Sequence, residues 1–317
     1  MSVLSSLFAP EPPSVAIELA NRRVTVVEVG RSAKGVSVIG YASEPLPADA
    51  IAPGINAPNI PNPAVVSEAL GRALGRAGVK SARRAALIVP DGVARVTLLP
   101  FEQLPAKPAD LEQLIRWQVK KSTPYPIEEA QVTWCRAHQA ETGNILAAVV
   151  ARRDVVAEYE GIVNAAGVHA GLVDLASLNV MNALIAANAA TTADWLLVTM
   201  APEGTTLAIG RGSDLMFYRH RAAVDEEPLS ALVHQTAMYH EDRLGGTKFS
   251  RVWLCGGGVG REAEQVRMEI HKRLDVPVEA VDVRAAAEMA GRIGASTDVL
   301  DAIAAPLGVL LRDRKAA

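Results

Sequence analysis

Leu111-Glu-Gln-Leu-Ile-Arg116-Trp117-Gln-Val-Lys-Lys-Ser-Thr-Pro124-Tyr125-Pro126-Ile127-Glu128-Glu129 is a helix that stops abruptly and hands the chain to a strand. Leu111, Leu114, Ile115 and Val119 recur at helical spacing on one face, with Glu112, Arg116, Lys120 and Lys121 mostly off it. Pro124 forbids continuation and Pro126 pins the exit. Downstream, Ala130–Ala137 reads as a strand, Asn144–Ala151 as an apolar central strand and Asp154–Ala166 as a helix closed by Gly167; Val168–Val173 returns as a strand. Upstream, Ala85–Val89 and Val93–Leu99 read as strands about the turn Pro90-Asp91-Gly92. The order β, β, α, β, β, α, β describes a small α/β module.

Around this module the chain repeats itself. Val15–Val29 alternates as a hairpin with a polar turn at Asn21-Arg22-Arg23, and Val36–Ala42 adds a third strand. The Pro- and Asn-rich segment Pro45–Pro63 reads as a loop, followed by a helix over Pro63–Ala77 stopped by Gly78. After a buried helix near Leu178, Trp195–Thr199, Thr205–Ile209 and Leu215–His220 form a second meander. Helix Pro228–Arg243, strand Arg251–Leu254 with Gly256-Gly257-Gly258, and helices Arg261–Leu274 and Asp298–Leu311 follow. Paired β-β-β-α units suggest a duplicated fold.

The chain has 317 residues, 50% of them hydrophobic and 21% charged, enough for large cores and too apolar for disorder. A net charge of −3 argues against nucleic-acid binding. Cys135 and Cys255 stand far apart without metal-spaced partners and read as buried reduced thiols, so no metal site is expected. Met1–Pro13 lacks the features of a secretory signal, which places the chain in the cytoplasm, and Ser2–Phe8 reads as a frayed terminus. The histidines are scattered without catalytic partners. No Walker loop, serine elbow or Rossmann glycine pattern is present.

Arg116-Trp117 followed by Pro124-Tyr125-Pro126-Ile127-Glu128-Glu129 resembles the helix-to-strand corner of the PilM family, cytoplasmic actin-like proteins of type IV pilus machines. Val15-Ala-Ile-Glu-Leu resembles the family's first phosphate hairpin. Ala148-Val-Val-Ala-Arg-Arg153 and Leu300-Asp-Ala-Ile-Ala-Ala-Pro-Leu-Gly308-Val-Leu-Leu-Arg312 resemble a strand into a small-subdomain helix and the closing helix. The resemblance implies an α/β, actin-like (ribonuclease-H-like) two-lobed fold with an inserted small α/β subdomain and one lobe shortened. It divides the chain into an N-terminal tail (1–13), a first lobe (14–84 and 174–192), the inserted subdomain (85–173) and a second lobe (193–317). Between the second hairpin and the helix from Pro228 only about ten residues remain, too few for the cleft-wall subdomain that the resemblance implies there.

Actin-like ATPases hold phosphates on backbone N–H groups of glycine-turned hairpins and place acids to orient Mg²⁺ and water. The implied nucleotide site here is Glu18, Ala20, Asn21, Arg22, Gly204, Thr205, Gly256, Gly257 and Gly258, and it is eroded. Ala20 stands where glycine is usual, and Asp-x-Gly becomes Thr199-Met200-Ala201, followed by Pro202, which has no N–H. ATP and Mg²⁺ are therefore expected to bind weakly at most, with no catalytic residue assigned. Asp91 and Asp174 read as turn and cap residues, which leaves a small-molecule kinase without its aspartate. The implied function is a scaffold binding the cytoplasmic tail of a PilN-like bitopic inner-membrane protein, with membrane contact through that partner and a possible homo-oligomer; the alternative is an active ATPase controlling pilus assembly. Trp117 and Tyr125 are candidate partner contacts, with corner packing as the other reading.

Overall fold

The computed structural model describes residues 13–33, 35–80, 82–141, 143–187, 192–256, 261–291, 293–294 and 296–312. The tail 1–12, Ser2–Phe8 within it, and Gly257 and Gly258 lie outside the described residues.

Two sheets are built on one plan. In the first, strands β1 (Val15–Ala20), β2 (Arg23–Ser32) and β3 (Gly35–Pro45) form an antiparallel meander, and β4 (Arg84–Val89) and β8 (His169–Leu175) extend it in parallel beside β1. In the second, β9 (Asp194–Ala201), β10 (Gly204–Arg211) and β11 (Asp214–Ala222) form the meander, and β12 (Arg251–Gly256) and β13 (Val278–Ala280) run parallel beside β9. The orders β3-β2-β1-β4-β8 and β11-β10-β9-β12-β13 correspond strand for strand, bearing out the duplication. A two-residue strand, β14 (Glu288–Met289), pairs with β3 at the far edge of the first sheet.

The inserted module is smaller than 85–173. β4 and β8 belong to the first sheet, because each pairs in parallel within it. The module's own sheet is β5 (Ala94–Phe101), β7 (Gly143–Arg152) and β6 (Ala130–Ala140) with β7 central, covered by helix α2 (Pro108–Lys120). At the corner after α2, Ser122 Oγ and Thr123 Oγ1 both donate to the Val119 carbonyl at 2.9 Å, occupying a helix-terminal acceptor. Arg116 reaches across to the Ile127 carbonyl at 3.3 Å, fixing the direction of exit.

Helix boundaries follow local chemistry. α1 (Pro63–Ala77) has Asn62 accepting from the Val65 amide and Pro63 in its first turn, and it ends on Gly78 at φ 81°. α5 (Leu229–Leu244) ends on Gly245 at φ 65°. α1 and α3 (Arg153–Ala165) cover the outer face of the first sheet, and α5 and α6 (Arg261–Leu274) that of the second.

Between the sheets lie α4 (Ala176–Ala186) and α7 (Thr297–Leu311). Strand alternation feeds both layers: Ile17 and Leu87 face the outer core, Ala16 and Ile88 the central one, and Leu196 and Leu197 divide likewise on β9. The polar residues that mark α4 as no membrane span are satisfied internally: fully buried Asn179 donates to the Leu175 carbonyl at 2.8 Å and accepts from Asn182 at 3.1 Å. The two helices touch backbone to backbone, since a Cβ on Gly308 would overlap the Asn179 carbonyl.

Cys255 is buried as expected, but Cys135 is exposed. It lies on the edge strand β6, where Ala130, Val132 and Trp134 face the module's core, so alternation turns Cys135 to the other face.

Gly308→Ala should push α4 from α7 and cost at least about 2 kcal/mol, the range of overpacked cores. Chemical denaturation should show the lowered midpoint, and Gly161→Ala, which meets nothing within 4 Å, should not.

Candidate functional site

The turn of the first hairpin, Asn21-Arg22, faces that of the second, Pro202-Glu203, across a cleft of about 400 Å³. The floor comes from the turn after β4, the start of α4 and the middle of α7. Glu18, Ala20, Asn21, Arg22, Gly204 and Gly256 line this cleft, as the sequence implied; Thr205 does not, because the alternation of β10 turns Thr206 inward instead. The sequence reading missed Arg23, Asp91, Ser177, Glu203, His220 and Asp301, which also line it.

Of the two hairpin arginines, Arg22 is exposed, whereas Arg23 reaches the buried Glu18 carboxylate at 3.6 Å. Burial raises the Glu18 pKa, and Arg23 opposes the rise. Asn21 is tied to the Ile51 carbonyl at 2.7 Å, which makes it a loop anchor. The Gly256 amide donates to Asp301 at 3.0 Å, and a Cβ there would overlap the Met200 carbonyl. This glycine serves close strand packing at φ 78°, and its N–H is already engaged.

Asp91 is the best-connected group. It accepts from the Ser177 amide at 3.0 Å and hydroxyl at 2.9 Å with one oxygen, and from the Thr206 hydroxyl at 2.7 Å with the other. Helix α4 has no side-chain cap of its own, so Asp91 caps it from 86 residues away. A carboxylate accepts only, so the hydroxyl protons of Ser177 and Thr206 point to Asp91. Tyr218 O–H therefore donates to Ser177 at 3.0 Å, and His220 Nδ1–H to Thr206 at 2.9 Å. Among the described residues Nε2 of neutral His220 has no hydrogen-bond partner, and burial lowers the pKa of this histidine. Nothing in the spacing of Asp91, Ser177, Thr206 and His220 announces this network.

The cleft is rich in carboxylates; its cations are Arg22, which is exposed, and Arg23, whose Nε has no hydrogen-bond partner among the described residues. Burial pushes Glu203 up to about 7, helped by Asp91 and Glu18, and pushes Asp301 up to about 6. Among the described residues Glu18 Oε2, Glu203 Oε2 and Asp301 Oδ1 have no hydrogen-bond partner, Glu18 Oε2 having only the ion pair with Arg23. A triphosphate needs N–H groups, and Pro202 has none to give. Among the described residues no group of three or more acid, His or Cys side chains is arranged to hold a metal ion.

A second hollow, of about 550 Å³, lies between the free edge of β8 and the inserted sheet. Val89, Val93, Val149, Val156 and Leu172 make it apolar, with Arg153, Thr133 and Asp174 at its polar margins. Tyr125 packs on the core of the inserted module, whereas Trp117 is 69% exposed on α2, which rules out a core role for it.

Twin sheets of one topology, with facing hairpins over a shared cleft and a small module inserted in the first lobe, define an actin-like fold. A Bacteroides thetaiotaomicron protein with an actin-like ATPase fold and unknown function superposes at a TM-score of 0.51, with 8% identity over 96% of this chain and 98% of that one. The family model of the type IV pilus assembly protein PilM matches residues 16–242, and the chain belongs to this family. The solved structure described as a PilM-PilN type IV pilus biogenesis complex matches at a TM-score of 0.79, with 17% identity over 95% of this chain and 98% of that one.

The raised pKa of Glu203 sets a pH dependence. Its folded value of about 7 exceeds the ordinary 4.5, so its stabilising contribution is complete below about 4.5 and is lost as pH rises through 7. Thermal melts from pH 5 to 8 should show Tm falling across this window, and Glu203→Gln should flatten the fall.

Proposed function

We propose that this chain serves type IV pilus assembly as a docking scaffold, receiving the cytoplasmic tail of a PilN-like bitopic inner-membrane protein in the groove beside β8, with little or no ATP hydrolysis. The observation that carries the docking half is the open edge of β8 above an apolar hollow. An extended tail adding to that edge gains main-chain hydrogen bonds, and its alternate side chains enter the hollow. Membership of the PilM family supports the pilus setting. None of the described helices is long and apolar enough to cross a membrane, so attachment through a membrane-spanning partner fits the chain. On this reading the protein sits in the cytoplasm, held at the inner membrane by that partner.

The weak-ATPase half is supported by the cleft. Its hairpin turns carry Ala20 and Pro202, the Gly256 amide is engaged by Asp301, and one oxygen each of Glu18, Glu203 and Asp301 has no hydrogen-bond partner among the described residues. A nucleotide-switch reading draws on Glu18 and the two arginines, Arg22 and Arg23, that line the cleft. The two readings separate in one pair of assays. On the scaffold reading Mg-ATP binds more weakly than about 10 μM by calorimetry, and phosphate release stays at background with or without Glu18→Ala. Steady release abolished by Glu18→Ala would establish the switch.

For docking, a synthetic peptide of the cytoplasmic tail of the PilN-like protein encoded beside this chain should bind in fluorescence anisotropy. Thr133→Arg, an exposed change at the groove wall, should weaken it at least about tenfold, or about 1.4 kcal/mol. Absence of binding to the unaltered protein would overturn the proposal.

A further inference from the structure

The groove and the cleft share a wall. The turn after β4 presents Val89 and Val93 to the groove, while Pro90 and Asp91 between them face the cleft. β8, whose free edge borders the groove, runs without a break through Leu175 into α4, whose first turn is capped by Asp91. The other oxygen of the same carboxylate holds Thr206 of the second lobe, and Thr206 holds His220 on β11. We propose that Asp91 is a positioning residue that couples the two sites: a tail docked on β8 fixes α4 against Asp91, and Asp91 transmits this to the hairpin of the second lobe.

The physical argument is one of divided bonding. Asp91 is only 9% exposed, and Glu18 and Glu203 nearby are acids whose pKa values its charge pushes upward. Breaking either arm leaves a buried carboxylate short of a donor in an already acidic cleft, so the arrangement with both arms made is favoured. A segment that stiffens β8 and the start of α4 favours the held arrangement, in which both arms of Asp91 are made. Coupling of this kind changes populations by roughly fivefold or more. The direct route from groove to second lobe, through contacts of the inserted sheet with β11 such as His138 Nδ1 to the Leu215 carbonyl at 2.8 Å, bypasses Asp91 and supplies the competing path.

This inference rests on the tail-docking reading, and the test separates the two. Amide hydrogen exchange would be measured on the full chain with and without the tail peptide, with binding followed independently by anisotropy. Binding of the peptide should slow exchange in 204–211 and 214–222 by about fivefold or more. Asp91→Asn should leave peptide affinity within about twofold, since Asp91 does not line the groove, and should abolish the slowing in the second lobe. Thr206→Val, which cuts only the second-lobe arm and keeps the cap on α4, should do the same in a chain whose folding is checked by circular dichroism. Binding without slowed exchange in the unaltered chain, or slowing that survives both substitutions, overturns the coupling. No binding at all overturns the docking reading, and the coupling with it.

Discussion

The backbone contact between α4 and α7 at Gly308 and Asn179 is the constraint on which the rest of the molecule depends. Two twisted sheets can share a central layer only if the helices between them pack closely enough to fill it, and a side chain at Gly308 would hold them apart. α7 then lies against β1, β2 and β4 of one lobe and β12 of the other, carrying Leu300, Ile303, Leu307 and Leu310 into the central core. Because the lobes meet through this pair, the hairpins at their ends face one another, and the cleft between them is a consequence of the crossing.

That cleft has the architecture of a phosphate-binding site with acids gathered in it. Among the described residues Pro202 removes one backbone N–H and Asp301 engages that of Gly256. Burying several carboxylates close together is tolerable only because some hold their protons, which is what the upward shifts of Glu203 and Asp301 express. Asp91 is balanced differently, since it receives hydrogen bonds from an amide and two hydroxyls.

Legibility in the sequence followed the range of the interactions. Asn62-Pro63 and Gly78 mark the ends of α1, and Pro124 the handover after α2, because caps and breakers act on neighbours. The duplicated meander was visible for the same reason, as repeated period-two alternation. The insertion was drawn too wide because β4 and β8 resemble any other strands until their parallel partners are known. Asp91 was assigned to its turn, since Pro-Asp-Gly explains itself locally, whereas its function in the fold comes from Ser177 and Thr206, 86 and 115 residues away. Thr205 was chosen over Thr206 by a motif, where the strand's alternation decides the facing. Residue type alone suggests burial for Cys135, whereas its exposure comes from its place on the face of an edge strand opposite Val132 and Trp134.

The edge of β8 carries an obligation as well as an opportunity. A row of unpaired main-chain groups will accept any extended segment, including the same strand of another copy, and so invites self-stacking. β8 spans seven residues, and its pairing with β4 slips at Ala85/Ala86, leaving Gly171 bulged against Arg84. Brevity and a bulge are the features that keep natural sheet edges from adhering to their own kind. The strand is thus long enough to seat a few residues of a visiting chain and too irregular to template a fibre, which makes the visitor a guard of the surface it occupies.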